Sequence, residues 1–160
     1  WTDQPGQVCA VMVADCVPIL LAAKDGSCVA AIHAGWRGLA AGVIEETVKC
    51  LPVPAAELVA VIGPCISAEH YEVGEAVIDK IFTNDSIPIS IATRRHARVY
   101  VDLAAATNSA LRGACSLPVG ELCFCTYSRL HAWYSFRRKR VTGRISGLIS
   151  LKGKLTNRGD

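Results

Sequence analysis

Residues 8–23 are apolar almost throughout and are broken only by Asp15 and Pro18. A run of this kind either crosses a membrane as a helix or is buried in a core as strands. A membrane span needs about 18 uninterrupted apolar residues, and an acid followed three positions later by a proline breaks that requirement. The segment therefore reads as two buried strands, 8–13 and 19–23, separated by the turn Asp15-Cys16-Val17-Pro18. A chain that hides two such strands must build a sheet-based core. With 160 residues, 51% of them hydrophobic, and a mean hydropathy of +0.32, it has the apolar surface for one globular domain, and disorder is not expected.

The rest of the chain alternates between strand and helix signals without a regular βαβ rhythm. Lys24-Asp25-Gly26-Ser27 is a hairpin-type turn into a third strand, 28–32, which leaves His33 at a strand end. From 39 to 51 the apolar period lengthens: Val43, Ile44, Thr47, Val48 and Leu51 share one face. Glu45 and Lys49 pair four apart on the other face, and Pro52 and Pro54 end this surface helix. A strand over 58–62 stops at Gly63-Pro64, and a second helix follows through Val73, Val77 and Ile81. Asp102 is a good N-cap for a third helix through Leu103, Ala106, Ala110 and Leu111, closed by Gly113. Short strands are expected at 122–126, 134–136 and 145–151. No repeat or low-complexity segment is present, so an α+β fold is favoured over a doubly wound sheet.

Charge and cysteine content narrow the setting. The formal charge is only +3, with most of the excess in one C-terminal patch. Arg137, Arg138, Lys139 and Arg140 lack any nucleic-acid-binding motif around them, so nucleic acid is not expected as a partner. Eight cysteines at irregular spacing, mostly in apolar contexts and with no Cys-x-x-Cys pair, read as reduced thiols and not as a disulfide frame or a tetrathiolate zinc site. Together with the absence of a visible export signal, this predicts a cytoplasmic protein.

Cys16 and His33 carry the chemical signal. A thiolate and an imidazole, each placed where a hydrophobic strand runs into a turn, are two of the three protein ligands a catalytic zinc uses. Taken singly, Cys16 reads equally as a buried structural thiol. The flanks of His33 change the balance. In His33-Ala34-Gly35-Trp36-Arg37-Gly38, two glycines bracket an aromatic ring and a guanidinium in one tight turn, which lets the backbone approach a ligand closely. Arg37 suits an anion such as phosphate or carboxylate, the structural alternative being an ion pair with a nearby acid. In His70-Tyr71-Glu72-Val73-Gly74, Tyr71 and Glu72 are within reach of a ligand, although Glu72 reads first as an acid favoured by a helix dipole.

Together with Ala14-Asp15-Cys16-Val17-Pro18, Ile62-Gly63-Pro64-Cys65-Ile66, Tyr71-Glu72-Val73-Gly74, Cys125-Thr126-Tyr127-Ser128, Ser135-Phe136-Arg137-Arg138 and Thr142-Gly143-Arg144, the His33 motif resembles the YfiH family. Its members are also called laccase-domain or polyphenol oxidoreductase proteins and, more recently, purine nucleoside phosphorylases. The resemblance spans nearly all of residues 1–160 in the right order and implies a single α+β domain, with mixed sheets packed face to face and helices outside. It implies zinc held by one cysteine and two histidines, with Cys16 and His33 at two of those positions. The third ligand of the family is a histidine well upstream of the cysteine motif and has no counterpart here. His70, His96 and His131 lie downstream and match no ligand motif, so the chain is expected to lack the family's N-terminal portion. At Lys139-Arg140-Val141 the chain departs from the family pattern and is more basic.

The implied activity is phosphorolysis of adenosine, inosine, guanosine and methylthioadenosine, with deamination of adenosine. Purine nucleosides and inorganic phosphate are then the partners, and Cys16, His33 and Arg37 the catalytic residues. Three alternatives stand beside it: a copper-dependent polyphenol oxidase, a hydrolase that edits peptidoglycan precursors, and an inactive, truncated binding domain. A multicopper oxidase needs many more histidines than the four of this chain, although copper at Cys16 and His33 is chemically reasonable.

Overall fold

A computed structural model describes residues 1–115, 119–122 and 124–152. Strand β1 (Val8–Val13) pairs antiparallel with β9 (Ile145–Ser150) in a two-stranded ribbon, Val13 opposite Ile145. Strand β2 (Val17–Ala23) lies inside a four-stranded sheet, between β3 (Val29–Ala34) and β4 (Leu58–Ile62), and is antiparallel to both. Strand β8 (Val119–Glu121) extends this sheet parallel to β4.

The apolar run separates into faces as period-two alternation requires. Ile19 and Leu21 point into a core shared with Leu39 and Ile44 and with Leu103 and Leu111, all buried. Pro18 and Leu20 point the other way, toward β9. A Cβ placed on Gly147 would lie 3.4 Å from Pro18 Cβ and 3.5 Å from Leu20 Cδ2. The ribbon and the four-stranded sheet thus pack face to face, and helices cover the opposite side: α1 (Trp36–Ala40), α2 (Val43–Cys50), α3 (Glu75–Ile81) and α4 (Leu103–Cys115). A third small sheet joins β5 (Glu72–Val73), β7 (Arg98–Val101) and β6 (Ala92–Arg95) in that spatial order. The α+β architecture is the expected one. Among the described residues, no helix is long and apolar enough to cross a membrane.

Several local expectations are corrected. The single helix over 39–51 is two helices, because Gly42 adopts a left-handed conformation (φ 72°) that ends α1 before α2 begins. Lys49 pairs with Glu46 and not with Glu45, which instead accepts a hydrogen bond from Asn84 Nδ2 (3.1 Å). Val73 belongs to β5, since Gly74 is extended and α3 starts only at Glu75. Gly113 lies inside α4, and its role is close packing: a Cβ there would come within 3.2 Å of Ser86 Oγ.

The N-cap holds as expected, with Ala105 N–H donating to Asp102 Oδ1 (2.8 Å). Of the strand expected at 122–126, Cys123 lies outside the described residues, and what is seen is one bridge between Cys65 and Cys125. Residues 134–136 form no strand. The guanidinium of Arg138 donates to the carbonyls of Thr126 (2.8 Å), Tyr127 (2.6 Å) and Trp133 (2.6 Å), ordering this loop without a ladder. One cation of the basic patch is therefore spent inside the protein.

Candidate active site at Cys16 and His33

Register brings the two candidate ligands together. Cys16 immediately precedes β2, and His33 is the penultimate residue of β3, paired with Pro18 across the antiparallel ladder. The chain then enters α1 through Gly35, whose φ of −92° and ψ of 171° suit any residue. Space is what demands glycine there. A Cβ on Gly35 would stand 2.8 Å from Cys16 Sγ and 4.0 Å from His33 Nε2, so sulfur and ring nitrogen face one small volume beside the backbone. The Cys16 side chain is half-buried, whereas His33 is exposed.

Asp15 sets the position of Cys16. Its φ of 85° is in the left-handed region, which costs a non-glycine residue about 1–3 kcal/mol unless its surroundings hold it there. Three hydrogen bonds do so: Thr126 Oγ1 donates to Oδ1 (2.7 Å), the Arg137 N–H donates to Oδ2 (2.6 Å), and the Asp15 carbonyl accepts from the Ile66 N–H (3.0 Å). The carboxylate is buried at 7% exposure with both oxygens engaged. Sequence reasoning assigned no role to Asp15, Thr126 or Arg137. The acid before the cysteine was the available signal, but both partners of its carboxylate, Thr126 and Arg137, lie more than a hundred residues away.

The electrostatic surroundings keep Cys16 a thiol. Burial raises its pKa first and the neighbouring Asp15 charge second, while Arg37 partly opposes them. Tyr71, buried, is pushed up to about 12 by burial and by Cys16, against Arg137 and Arg37, so its hydroxyl keeps its proton at neutral pH. The Arg137 guanidinium lies 5.2 Å from the Tyr71 ring centre and donates to the Glu72 carbonyl (2.6 Å). Arg37 is exposed and stacks on Trp36 at 4.4 Å. Among the described residues the ion pairs are Lys49 with Glu46, Arg94 with Glu75 and Arg98 with Glu72, so the structural alternative for Arg37 is not found. The helix-dipole reading of Glu72 is likewise corrected: it sits on β5 and pairs with Arg98 at 3.0 Å.

For a metal, the donor set fits in part. Thiolate and imidazole suit zinc, and both donor atoms lie within 4.0 Å of the position a Cβ on Gly35 would take. Among the described residues, no group of three or more His, Cys, Asp or Glu side chains is arranged to hold a metal. Cys16 and His33 are thus a two-donor set that needs a further ligand. His70 lies instead beside Cys125, His96 in the turn between β6 and β7, and His131 on an exposed turn.

Comparisons with known proteins show the family. Residues 1–152 match the family described as multi-copper polyphenol oxidoreductase laccase. The chain is 39% identical over 158 residues to "Purine nucleoside phosphorylase PA4543" of Pseudomonas aeruginosa, covering 95% of this chain and 64% of that protein. It is 38% identical over 154 residues to "Purine nucleoside phosphorylase YfiH" of Escherichia coli K12, covering 94% and 62% respectively.

Among solved structures, Neisseria meningitidis protein NMB0706 superposes with a TM-score of 0.84 at 38% identity, over 91% of this chain and 61% of that one. The Bacillus licheniformis YfiH protein superposes with a TM-score of 0.87 at 30% identity, over 94% of this chain and 60% of that one. The chain thus spans less than two thirds of the length of these relatives. Across residues 1–152 this chain belongs to the multi-copper polyphenol oxidoreductase laccase family, which is the YfiH family.

Proposed function

We propose that the site at Cys16, His33 and Arg37 acts on purine nucleosides, cleaving the bond between base and ribose with inorganic phosphate. The observation that carries this reading is the approach of Cys16 Sγ and His33 Nε2 to the position beside Gly35, with Arg37 two residues beyond, in helix α1 and not in the tight turn expected from the glycines. The names of the relatives support the substrate class. In phosphorolysis a phosphate oxygen bonds to the anomeric carbon as the carbon–nitrogen bond breaks, and its electron pair passes to the purine, which takes up a proton. Arg37, without an acidic partner among the described residues, offers a planar two-pronged donor for the phosphate. Tyr71, kept protonated beside Cys16, offers a buried hydroxyl donor to a substrate oxygen or nitrogen.

Cys16 and His33 would hold zinc together with a third donor. Such an ion would supply a Lewis acid and a water whose pKa falls toward ~7, the chemistry that deamination of adenosine requires. Adenosine, inosine, guanosine and methylthioadenosine are the nucleosides proposed. Copper suits the same two donors, but the four histidines of this chain are too few for a multicopper oxidase, so polyphenol oxidation is the weaker reading. A site that depends on a reduced thiol fits a cytoplasmic setting.

The test is to incubate the chain with inosine or adenosine, with and without phosphate, and to separate the products by chromatography. Phosphate-dependent release of free base that is lost in Cys16→Ala and His33→Ala supports the proposal. Base release that needs no phosphate, or that survives both substitutions, refutes it.

A further inference from the structure

A second thiol–imidazole pair adjoins the site just described, one residue along from two of its members: Thr126, after Cys125, bonds to Asp15, and Tyr71 follows His70. The single bridge between Cys65 and Cys125 brings residues 65–70 against residues 125–128: the Cys65 N–H donates to the Phe124 carbonyl (3.2 Å), and the Thr126 N–H donates to the Cys65 carbonyl (2.9 Å). Beyond Cys65 the chain turns, with the His70 N–H donating to the Ser67 carbonyl (3.0 Å). This turn places His70 Nδ1 3.6 Å from Cys125 Sγ and 3.0 Å from Ser67 Oγ. The Ser67 N–H also donates to the Cys125 sulfur (3.4 Å). Tyr127, two residues after the cysteine, stacks on the imidazole with centroids 4.6 Å apart and planes 24° apart, fixing the ring.

Cys125 is half-buried and lines a cavity of about 460 Å³ with Ser67, Ala68, Asp102, Asn108 and Phe124. His70 lines a separate cleft of about 260 Å³ with Tyr100, Tyr127 and Arg137. The sulfur is therefore reachable from a cavity while its imidazole partner is held from behind.

We propose that Cys125 is a peroxide-reactive thiolate, paired with His70 and modified to a sulfenic acid by hydrogen peroxide or small hydroperoxides. In the step, the Cys125 sulfur attacks one peroxide oxygen. The S–O bond forms and the O–O bond breaks, sulfur is oxidised, and the peroxide oxygens are reduced. The leaving hydroxide, or alkoxide from a hydroperoxide, takes a proton from solvent in the cavity and departs as water or alcohol, and the sulfur is left as sulfenic acid. The electrostatics agree. Burial opposes ionisation, but hydrogen bonds from Ser67 and Ser128 outweigh it and bring the Cys125 thiol down to about 6. The ionisable group facing the sulfur is His70, and the carboxylates of Asp102 and Glu121 are on the wall of the same cavity. Asp102 accepts the Ala105 N–H, and Glu121 accepts a hydrogen bond from Asn108.

The test is iodoacetamide labelling of the intact chain between pH 5 and 9, with each cysteine read by peptide mass spectrometry and a small-molecule thiol as reference. The Cys125 rate should level off between pH 6 and 7, whereas an ordinary thiol near pKa ~8.5 keeps rising past pH 8. At pH 6 a thiolate fraction more than a hundredfold larger, offset by weaker intrinsic nucleophilicity, leaves Cys125 about tenfold faster. Hydrogen peroxide followed by dimedone should tag Cys125, and His70→Asn should cut its labelling several-fold at pH 6. A Cys125 rate that climbs through pH 8 like the reference, a missing dimedone adduct, or labelling unchanged in His70→Asn would overturn the proposal. The wild-type profile decides the matter even where the variant folds poorly.

Discussion

Replacing Gly35 with alanine separates the role of this residue in the fold from its role beside the candidate ligands. At φ −92° and ψ 171° the backbone accepts alanine, and losing the freedom of glycine in the unfolded chain favours the variant by about 0.4–1 kcal/mol. Against this, the new Cβ would begin 2.8 Å from Cys16 Sγ, about an ångström inside comfortable contact. The sulfur can retreat by rotating off its rotamer at a cost of about 0.5–1.5 kcal/mol, or the neighbourhood can shift at about 1–3 kcal/mol. The net effect runs from a gain of about 0.5 to a loss of about 2.5 kcal/mol, a fall in Tm of at most about 10 °C for a chain of this size. Metal coordination tolerates only about 0.2 Å of error in ligand distance. Zinc affinity should therefore fall at least about tenfold while the fold survives. Calorimetric titration of zinc, with circular dichroism melts on the same samples, measures both quantities. Unchanged zinc affinity in a folded Gly35→Ala protein would refute the reasoning.

Two further outcomes follow from the buried polar and ionisable groups. Asp15→Ala leaves the Thr126 hydroxyl and the Arg137 N–H without an acceptor, costing about 2–4 kcal/mol in denaturant unfolding, whereas Asp15→Asn, which can still accept from Arg137, should cost less than half as much. Equal losses in the two variants would remove those hydrogen bonds from the account. In α4, burial pushes the Cys115 thiol up to about 11, so the folded state holds this proton to higher pH than the unfolded chain. Its contribution is complete below the unfolded thiol pKa and is lost as pH rises toward the folded one, a decline of at most about 1.4 kcal/mol per pH unit. Denaturation curves from pH 8 to 10.5 should fall less steeply for Cys115→Ala, and parallel curves would contradict this.

What the sequence disclosed is what period and punctuation encode. The break at Asp15 separates one apolar run into β1 and β2, but Pro18, expected in the turn, lies within β2, which starts at Val17 and not at Ile19; the strand-end positions of Cys16 and His33 were legible because antiparallel strands on either side of a short turn return to the same end. What stayed hidden depended on non-local or weakly signalled geometry. The β6–β7 hairpin turns through His96 and Ala97 at φ 47° and 61°, without the glycine or asparagine that normally marks such a turn. The break at Gly42 has no marker in the helical period of 39–51, because only its left-handed conformation distinguishes it from a glycine inside a helix. Asp15, Thr126 and Arg137 meet across most of the chain length, and no local pattern announces such a contact. Arg138 read as part of a cationic surface because three carbonyl acceptors leave no trace in composition.

X-ray absorption at the zinc edge of the zinc-loaded chain tests the shared volume beside Gly35 most directly. The account predicts one sulfur neighbour at about 2.3 Å and nitrogen at about 2.0 Å, with the sulfur shell lost in Cys16→Ser and the nitrogen shell reduced in His33→Asn. A zinc environment unchanged by both substitutions would contradict it.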